Sequence, residues 1–252
     1  MISSKDNARV KRWAKLVRDS SLRRKERRAM VEGPHLVAEA LQAQLQPLAL
    51  LVSESALARE ETHKLLGKRE PVVLSDAVFR SIADAETPQG IAAEIAIPQI
   101  RAKGHCVFLE AVQDPSNVGA IIRTAAAFGA GEMVLDRACA DAWSPKALRA
   151  GMGGQFKTAI RQVPRLEEHL AGFDGTLVCT VSHGGVELRK ADLPGRLGWI
   201  FGAEGRGISE SAARHAKLAV TIRMAPATES LNVAAAAAIC LYEAFSRPGA
   251  RS

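Results

Sequence analysis

The sequence predicts an α/β protein with a parallel sheet in its C-terminal part and a smaller α/β unit before it. Three observations carry this expectation. Between residues 106 and 222 five short runs recur, CVFLE (106–110), EMVLD (132–136), TLVCTV (176–181), LGWIF (197–201) and LAVTI (218–222), separated by helical stretches or loops. The runs are almost continuously apolar, the pattern of strands covered on both faces by helices. A chain of 252 residues, 47% hydrophobic and 24% charged, is also long enough for two modest domains.

Taken in order, a first helix is expected over 7–19, where Val10, Trp13, Ala14 and Val17 recur at helical spacing with basic residues between them. Gly33 and Pro34 punctuate the segment that follows, and a second helix runs to about Gln44. The runs LALLV (48–52), PVVL (71–74) and GIAAEI (90–95) then alternate with helical stretches around 55–66 and 75–83. AIPQIRAKGH (96–105), with Pro98, Gly104 and two cations, has the composition of an exposed connector. It divides the chain into domains expected at 1–97 and 104–248.

Charge is concentrated at one end. Residues 1–28 hold eleven Lys or Arg against Asp6, Asp19 and Glu26, a net +8, which leaves −1 for the remainder of a chain whose total is +7. Such a block is the footprint of a polyanion partner, and equally of a solvated helix face. Arg9, Arg12, Arg23, Arg24, Arg27 and Arg28 are the candidate phosphate contacts within it. Aromatics at 4% argue against a platform for stacking splayed bases. Cys106, Cys139, Cys179 and Cys240 are widely spaced, three of them inside apolar runs, so neither a disulfide framework nor a metal site is expected. No segment reaches the roughly 18–20 uncharged apolar residues of a membrane span. A cytoplasmic protein with no membrane partner is the expectation.

In a parallel sheet, ligands bind beyond the carboxyl ends of the strands, so chemistry is sought just after each run. The first run continues into QDPSNVGAIIRTAAAFGA, with Asn117 near a helix start and Arg123 the one charge in an apolar helix. Arg123 is either an ordinary exposed residue or points along the sheet top toward an anion. The fourth run continues into GAEGRGIS (202–209), whose glycines allow close backbone approach around Glu204. It is not the dinucleotide fingerprint, and a plain strand-to-helix turn would have the same composition. After the fifth run, Ser230 can cap a helix opened by SLNV and so rich in alanine that neighbouring backbone must pack closely on it. Asn232, just inside that helix, has no structural reason on this reading. SHGG (182–185) resembles an esterase oxyanion segment, but no G-x-S-x-G accompanies it.

These three segments, in this order, resemble the signature motifs of the SpoU (TrmH-like) RNA 2′-O-ribose methyltransferases of the SPOUT superfamily. The resemblance covers about residues 105–246, and KALRAGMGGQF (146–156) is similar to the family's inter-motif segment, with Gly151 where many relatives carry serine. The N-terminal part is similar to the L30e-like substrate-binding domain that precedes many such catalytic domains. The resemblance implies a C-terminal trefoil knot, a homodimer, and methylation of a ribose 2′-hydroxyl in rRNA or tRNA from S-adenosylmethionine, without a metal. It implies Asn117, Arg123, Glu204, Ser230 and Asn232 as the active-site polar set. It places the cofactor at Thr180, Gly202, Ile222, Met224, Leu231 and Val233, held mostly by backbone groups. Arg123 would grip the phosphate beside the reacting hydroxyl, because a guanidinium is a poor base. An RNA-binding or ribosome-assembly factor without turnover, and a base methyltransferase, are the competing readings.

Overall fold

The structure is a computed structural model that describes residues 1–226 and 228–247, so residue 248, the expected end of the second domain, lies outside the described residues. The N-terminal part comprises α1 (Ala8–Arg18), α2 (Ser20–Glu26), β1 (Arg28–Glu32), α3 (Pro34–Gln42), β2 (Ala49–Ser53), α4 (Glu54–Leu57), α5 (Glu60–Leu66), β3 (Val72–Leu74), α6 (Asp76–Ile82) and β4 (Ile91–Ala96). Its sheet has the order β1-β4-β2-β3, with β4 antiparallel to both neighbours and β2 parallel to β3. α1 starts where the Asn7 side chain accepts from the Arg9 amide, and it buries Val10, Trp13, Leu16 and Val17 against the sheet's outer face. Gly33, at φ +96°, turns the chain from β1 into α3, and Pro34 then supplies a first helical position that needs no amide donor.

The C-terminal part contains β5 (Cys106–Leu109), α7 (Pro115–Ala127), β6 (Glu132–Asp136), α8 (Pro145–Gly151), β7 (Ala159–Val163), α9 (Glu167–Ala171), β8 (Thr176–Thr180), β9 (Val186–Glu187), β10 (Leu197–Phe201), α10 (Glu210–Ala213), β11 (Leu218–Thr221) and α11 (Val233–Ser246). Its sheet is parallel throughout, in the order β7-β6-β5-β10-β8-β11-β9. Alternate residues serve opposite layers. Val107, Leu109, Trp199 and Phe201 join the larger core, while Cys106, Phe108 and Ile200 join the smaller one. The larger core also takes in Val31, Val37 and Ile95, so the two sheets share one apolar interior across the exposed 97–105 connector.

All five expected C-terminal strands are present, two with the expected bounds. β1, β7 and β9 were not expected. β7 reads AIRQV, with exposed Arg161 and Gln162 on a sheet edge, and two-residue β9 is too short for any period. The four cysteines are free and buried, and burial pushes the Cys106 and Cys240 thiols up to about 12. Among the described residues no helix is long and apolar enough to cross a membrane.

Candidate active site

The chain runs from β5 to β6 and β7 on one side, then returns to place β10 between β5 and β8. Strand direction of growth reverses there, so a crevice opens beyond the carboxyl ends of β5 and β10. The Asp114 side chain starts α7 at this crevice by accepting from the Ser116 amide, and that bond, together with Lys146 at 2.9 Å, lowers the Asp114 carboxyl below its usual range. Pro115 follows, and Asn117 in the first turn is 9% exposed.

Beyond β10 the chain folds back so tightly that a Cβ on Gly202 would overlap the backbone of Gly207. The Gly207 amide donates to the Ala203 carbonyl at 2.9 Å, and Gly205 and Gly207 take φ of +83° and +66°, which glycine adopts freely. Glu204 therefore sits at the head of a closed loop. Glu110, at the end of β5, fixes the loop's exit by accepting from the Ser209 amide at 2.7 Å and the Ser209 hydroxyl at 2.6 Å.

Asn232 joins these two elements to the third. Its Oδ1 accepts from the Ala234 and Ala235 amides at 2.9 and 3.2 Å, so its Nδ2 must face the crevice, where it donates to Asn117 Oδ1 at 3.1 Å and Glu204 Oε1 at 3.0 Å. Asn117 then has only Nδ2 left, and donates it to the same Glu204 oxygen. The helix cap thus dictates both amide orientations. This corrects the expectation that Ser230 caps the last helix: Asn232 is the cap, because its side chain lies one residue before the first helical turn and reaches two unpaired amides there.

Three of the five expected polar residues, Asn117, Glu204 and Asn232, are brought into one hydrogen-bonded cluster. Arg123 and Ser230 are exposed outside it, and neither has a polar partner among the described residues. Of the expected cofactor positions, Thr180, Gly202 and Ile222 lie at or just beyond the ends of the neighbouring strands β8, β10 and β11. Met224 is half-buried, Leu231 is exposed and Val233 is buried at the start of α11. No charged side chain is in this set, which suits recognition by backbone groups. Gly151 is explained by packing, since a side chain there would collide with the buried amide of Gln155.

The basic segment needs a larger correction. Arg23 is 4% exposed: its Nε donates to Asp141 at 2.7 Å and its Nη1 to the Leu16 and Val17 carbonyls at 2.6 and 2.8 Å. It faces the protein and cannot grip a phosphate. A charge count does not distinguish the inward side of a seven-residue helix from the outward one. Arg12 and Arg28 are partly exposed and tied to Glu94, whereas Arg9, Arg24 and Arg27 are exposed, with Arg9 lying over the Trp13 ring.

Sequence reasoning missed Glu110 and Asp136. Asp136 closes β6 and accepts from the Ala111 amide with both oxygens at 3.1 Å and from the Cys139 amide at 2.9 Å, holding Ala111 at φ +53° before α7 begins. Their signal is position alone, an acid at the carboxyl end of a buried strand.

Residues 104–242 match the model of the SpoU rRNA methylase family, and residues 7–93 match that of the MRM3-like substrate binding domain. The chain is 31% identical, over 96% of its length and 97% of the relative's, to the 23S rRNA (guanosine(2553)-2′-O)-methyltransferase RlmP of Bacillus subtilis (strain 168). It superposes on the SpoU methyltransferase AviRb from Streptomyces viridochromogenes, solved in complex with AdoMet, with a TM-score of 0.84 at 26% identity, covering 95% of this chain and 97% of that one. The AdoMet-bound rRNA methyltransferase from Sinorhizobium meliloti gives a TM-score of 0.79 at 27% identity, covering 96% and 95%.

Proposed function

The chain belongs to the SpoU rRNA methylase family and is an S-adenosylmethionine-dependent RNA ribose 2′-O-methyltransferase, and we propose that its active site is built on the cluster of Asn117, Glu204 and Asn232. The observation that carries this reading is the convergence of those three side chains, from three different strand-end segments, at the point where strand order reverses.

A ribose hydroxyl is a weak nucleophile at neutral pH, so the chain must orient it and manage its proton. The cofactor supplies an activated methyl group when bound. Thr180, Gly202, Ile222, Met224, Leu231 and Val233 are the residues proposed to hold it. Arg123, whose side chain has no polar partner among the described residues, grips the phosphate next to the reacting hydroxyl and favours the hydroxyl's anionic form electrostatically. Asn117 and Asn232 hold one oxygen of Glu204, which keeps the other directed to neither of them and free to accept from the ribose. Ser230, beside Asn232, orients the same sugar.

The finer architecture is proposed with it. The chain passes from β10 on one side of β8 to β11 on the other before α11 packs on α7, a path that supports a trefoil knot in this segment. Residues 1–97 form an L30e-like RNA-binding domain and 104–248 the methyltransferase domain, acting in the cytoplasm on structured RNA, with ribosomal RNA favoured by the named relatives. Arg9, Arg24 and Arg27 contact phosphates, while Arg12 and Arg28 add charge from their places on Glu94. Ile239 and Tyr242, 40% and 57% exposed on α11, face the second subunit of a homodimer. Incubating the protein with labelled S-adenosylmethionine and ribosomal RNA, then mapping 2′-O-methyl positions, tests the reading. Label recovered on a base, or none at all, would overturn it.

A further inference from the structure

The segment 141–157 touches the N-terminal unit with one side and α7 with the other. On the first side, Asp141 pairs with Arg23 at 2.7 Å, side chains 12% and 5% exposed. Arg149 pairs with Asp84 at 2.6 Å and Lys157 with Glu39 at 3.2 Å. Gly153 lies so near α3 that a Cβ there would stand 2.9 Å from the Cβ of Glu39. On the second side, Gly119 of α7 has no room for a side chain beneath the Ala147 carbonyl, and a Cβ on Gly154 would stand 3.1 Å from Arg123 Cα and 3.1 Å from the Ile122 carbonyl oxygen. Fully buried Gln155 donates to the Ala142 and Ala147 carbonyls at 3.2 and 2.9 Å, which ties the segment together internally.

The Arg23 contact stands out among these. The guanidinium is desolvated, and it spans the last turn of α1 and a loop of the methyltransferase part, so it fixes α2 in place on that part. Arg24, Lys25 and Arg27, on the same short stretch, are exposed. Whatever those three cations hold is thereby held at a set distance from α7.

We propose that residues 141–157 are the bridge that sets Arg123 in register with RNA held by the N-terminal unit, with Arg23, Asp141 and Gly154 as positioning residues. The proposal rests on the ribose-methylation reading above. Its physical basis is that small misplacement of a charge-stabilising group costs rate without costing binding. Neither Arg23 nor Asp141 touches the substrate. Loss of their pair lets the RNA-holding surface drift relative to Arg123, while a methyl group at Gly154 pushes the Arg123 backbone by a few tenths of an ångström.

The test uses the full chain and four variants: Asp141→Asn, Arg23→Met, their combination, and Gly154→Ala. Melting temperature, cofactor affinity, RNA affinity and the single-turnover rate at saturating RNA and cofactor are measured for each. Asp141→Asn and Arg23→Met should each lower the rate about tenfold while both affinities stay within about twofold of wild type. The combination should be no slower than the worse single variant, because both remove one contact. Gly154→Ala should slow the reaction comparably from the other side. If Arg23→Met fails to fold, Asp141→Asn decides, since its remaining oxygen can keep the 2.9 Å bond from the Trp143 amide. Lowered melting temperatures with wild-type rates would overturn the bridge, and so would RNA affinity falling in step with rate. Absence of ribose methylation by the wild-type chain would instead overturn the functional reading beneath it.

Discussion

One side chain, Asn232, carries two duties that can be separated experimentally. Its oxygen caps α11 and its nitrogen closes the cluster with Asn117 and Glu204. Asn232→Ala loses both, and should cost about 1 kcal/mol of stability from the cap alone. Asn232→Asp keeps an acceptor for the helix amides but sets a second carboxylate oxygen where the amide nitrogen lay 3.0 Å from Glu204. The expected outcome is therefore a melting temperature nearer wild type and a single-turnover rate at least as low as that of the alanine variant; the reverse ranking would mean that the cap is all Asn232 provides. Arg123 gives the complementary case. Arg123→Ala should lower the single-turnover rate about a hundredfold with little change in cofactor affinity, and Arg123→Lys should recover little, because an ammonium lacks the planar fork. A near wild-type rate for Arg123→Ala would leave it an ordinary surface arginine. At this scale the polar set was legible through the resemblance of the three segments to the family's motifs, because composition alone left Arg123 an exposed helix residue and GAEGRGIS a plain strand-to-helix turn. Glu110 and Asp136 were not, since nothing in sequence separates a strand-end acid that clamps a loop from one in solvent.

Among the elements, β4 shows how a strand can carry a charge into a core. Glu94 is 3% exposed, yet it accepts from Arg12 at 3.0 and 2.9 Å, Arg28 at 2.7 Å and the Trp13 indole at 2.8 Å, so α1, β1 and β4 meet at one carboxylate. Burial, the largest single influence, pushes the carboxyl up, but the Arg12, Arg28 and Trp13 donors together hold it below the usual 4.5. A depressed folded value means that the cluster's contribution is full above the unfolded value and is lost as pH falls through the folded one. Acid unfolding followed below about pH 4.5 should accordingly be shifted by Glu94→Gln. That variant should lose about 2 kcal/mol at pH 7, less than the roughly 3–5 typical of a fully buried pair because both arginines are partly solvated. A neutral-pH stability equal to wild type would show that the donors re-pair without cost. The same strand reads GIAAEI in sequence, where the apolar pattern predicted the strand and gave no hint of what Glu94 holds. β1 and β7 were illegible for a related reason. RAMVE runs on from a basic helix without punctuation until Gly33, and AIRQV, lying on an edge, needs apolar residues on one face only.

Across the whole molecule, the arginines of the +8 block in the first 28 residues are placed by the fold in different surroundings. Arg23 is spent inside, pairing with Asp141 across the junction of the two parts; Arg12 and Arg28 share Glu94; Arg9, Arg24 and Arg27 remain outside. Sequence located the charge but not this division, because the partner acids stand 118 and 82 residues from Arg23 and Arg12. The division makes a prediction that net charge alone would not. If phosphates are neutralised by the outer group, each such contact adds roughly 0.7–0.9 to the slope of log affinity against log salt. Reversing Arg24 and Arg27 together should flatten that slope by about 1 to 2, weaken RNA binding most at low salt, and leave cofactor affinity and melting temperature close to wild type. Arg23→Met removes the same formal charge as Arg24→Met, yet should leave the slope unchanged and lower the melting temperature instead, since what it loses is a buried pair. Equilibrium binding to ribosomal RNA fragments across a salt series measures both. A slope that falls equally for Arg23→Met and for Arg24→Met would mean that the segment acts as undifferentiated charge, and the inward assignment of Arg23 would then be wrong for the RNA-bound protein.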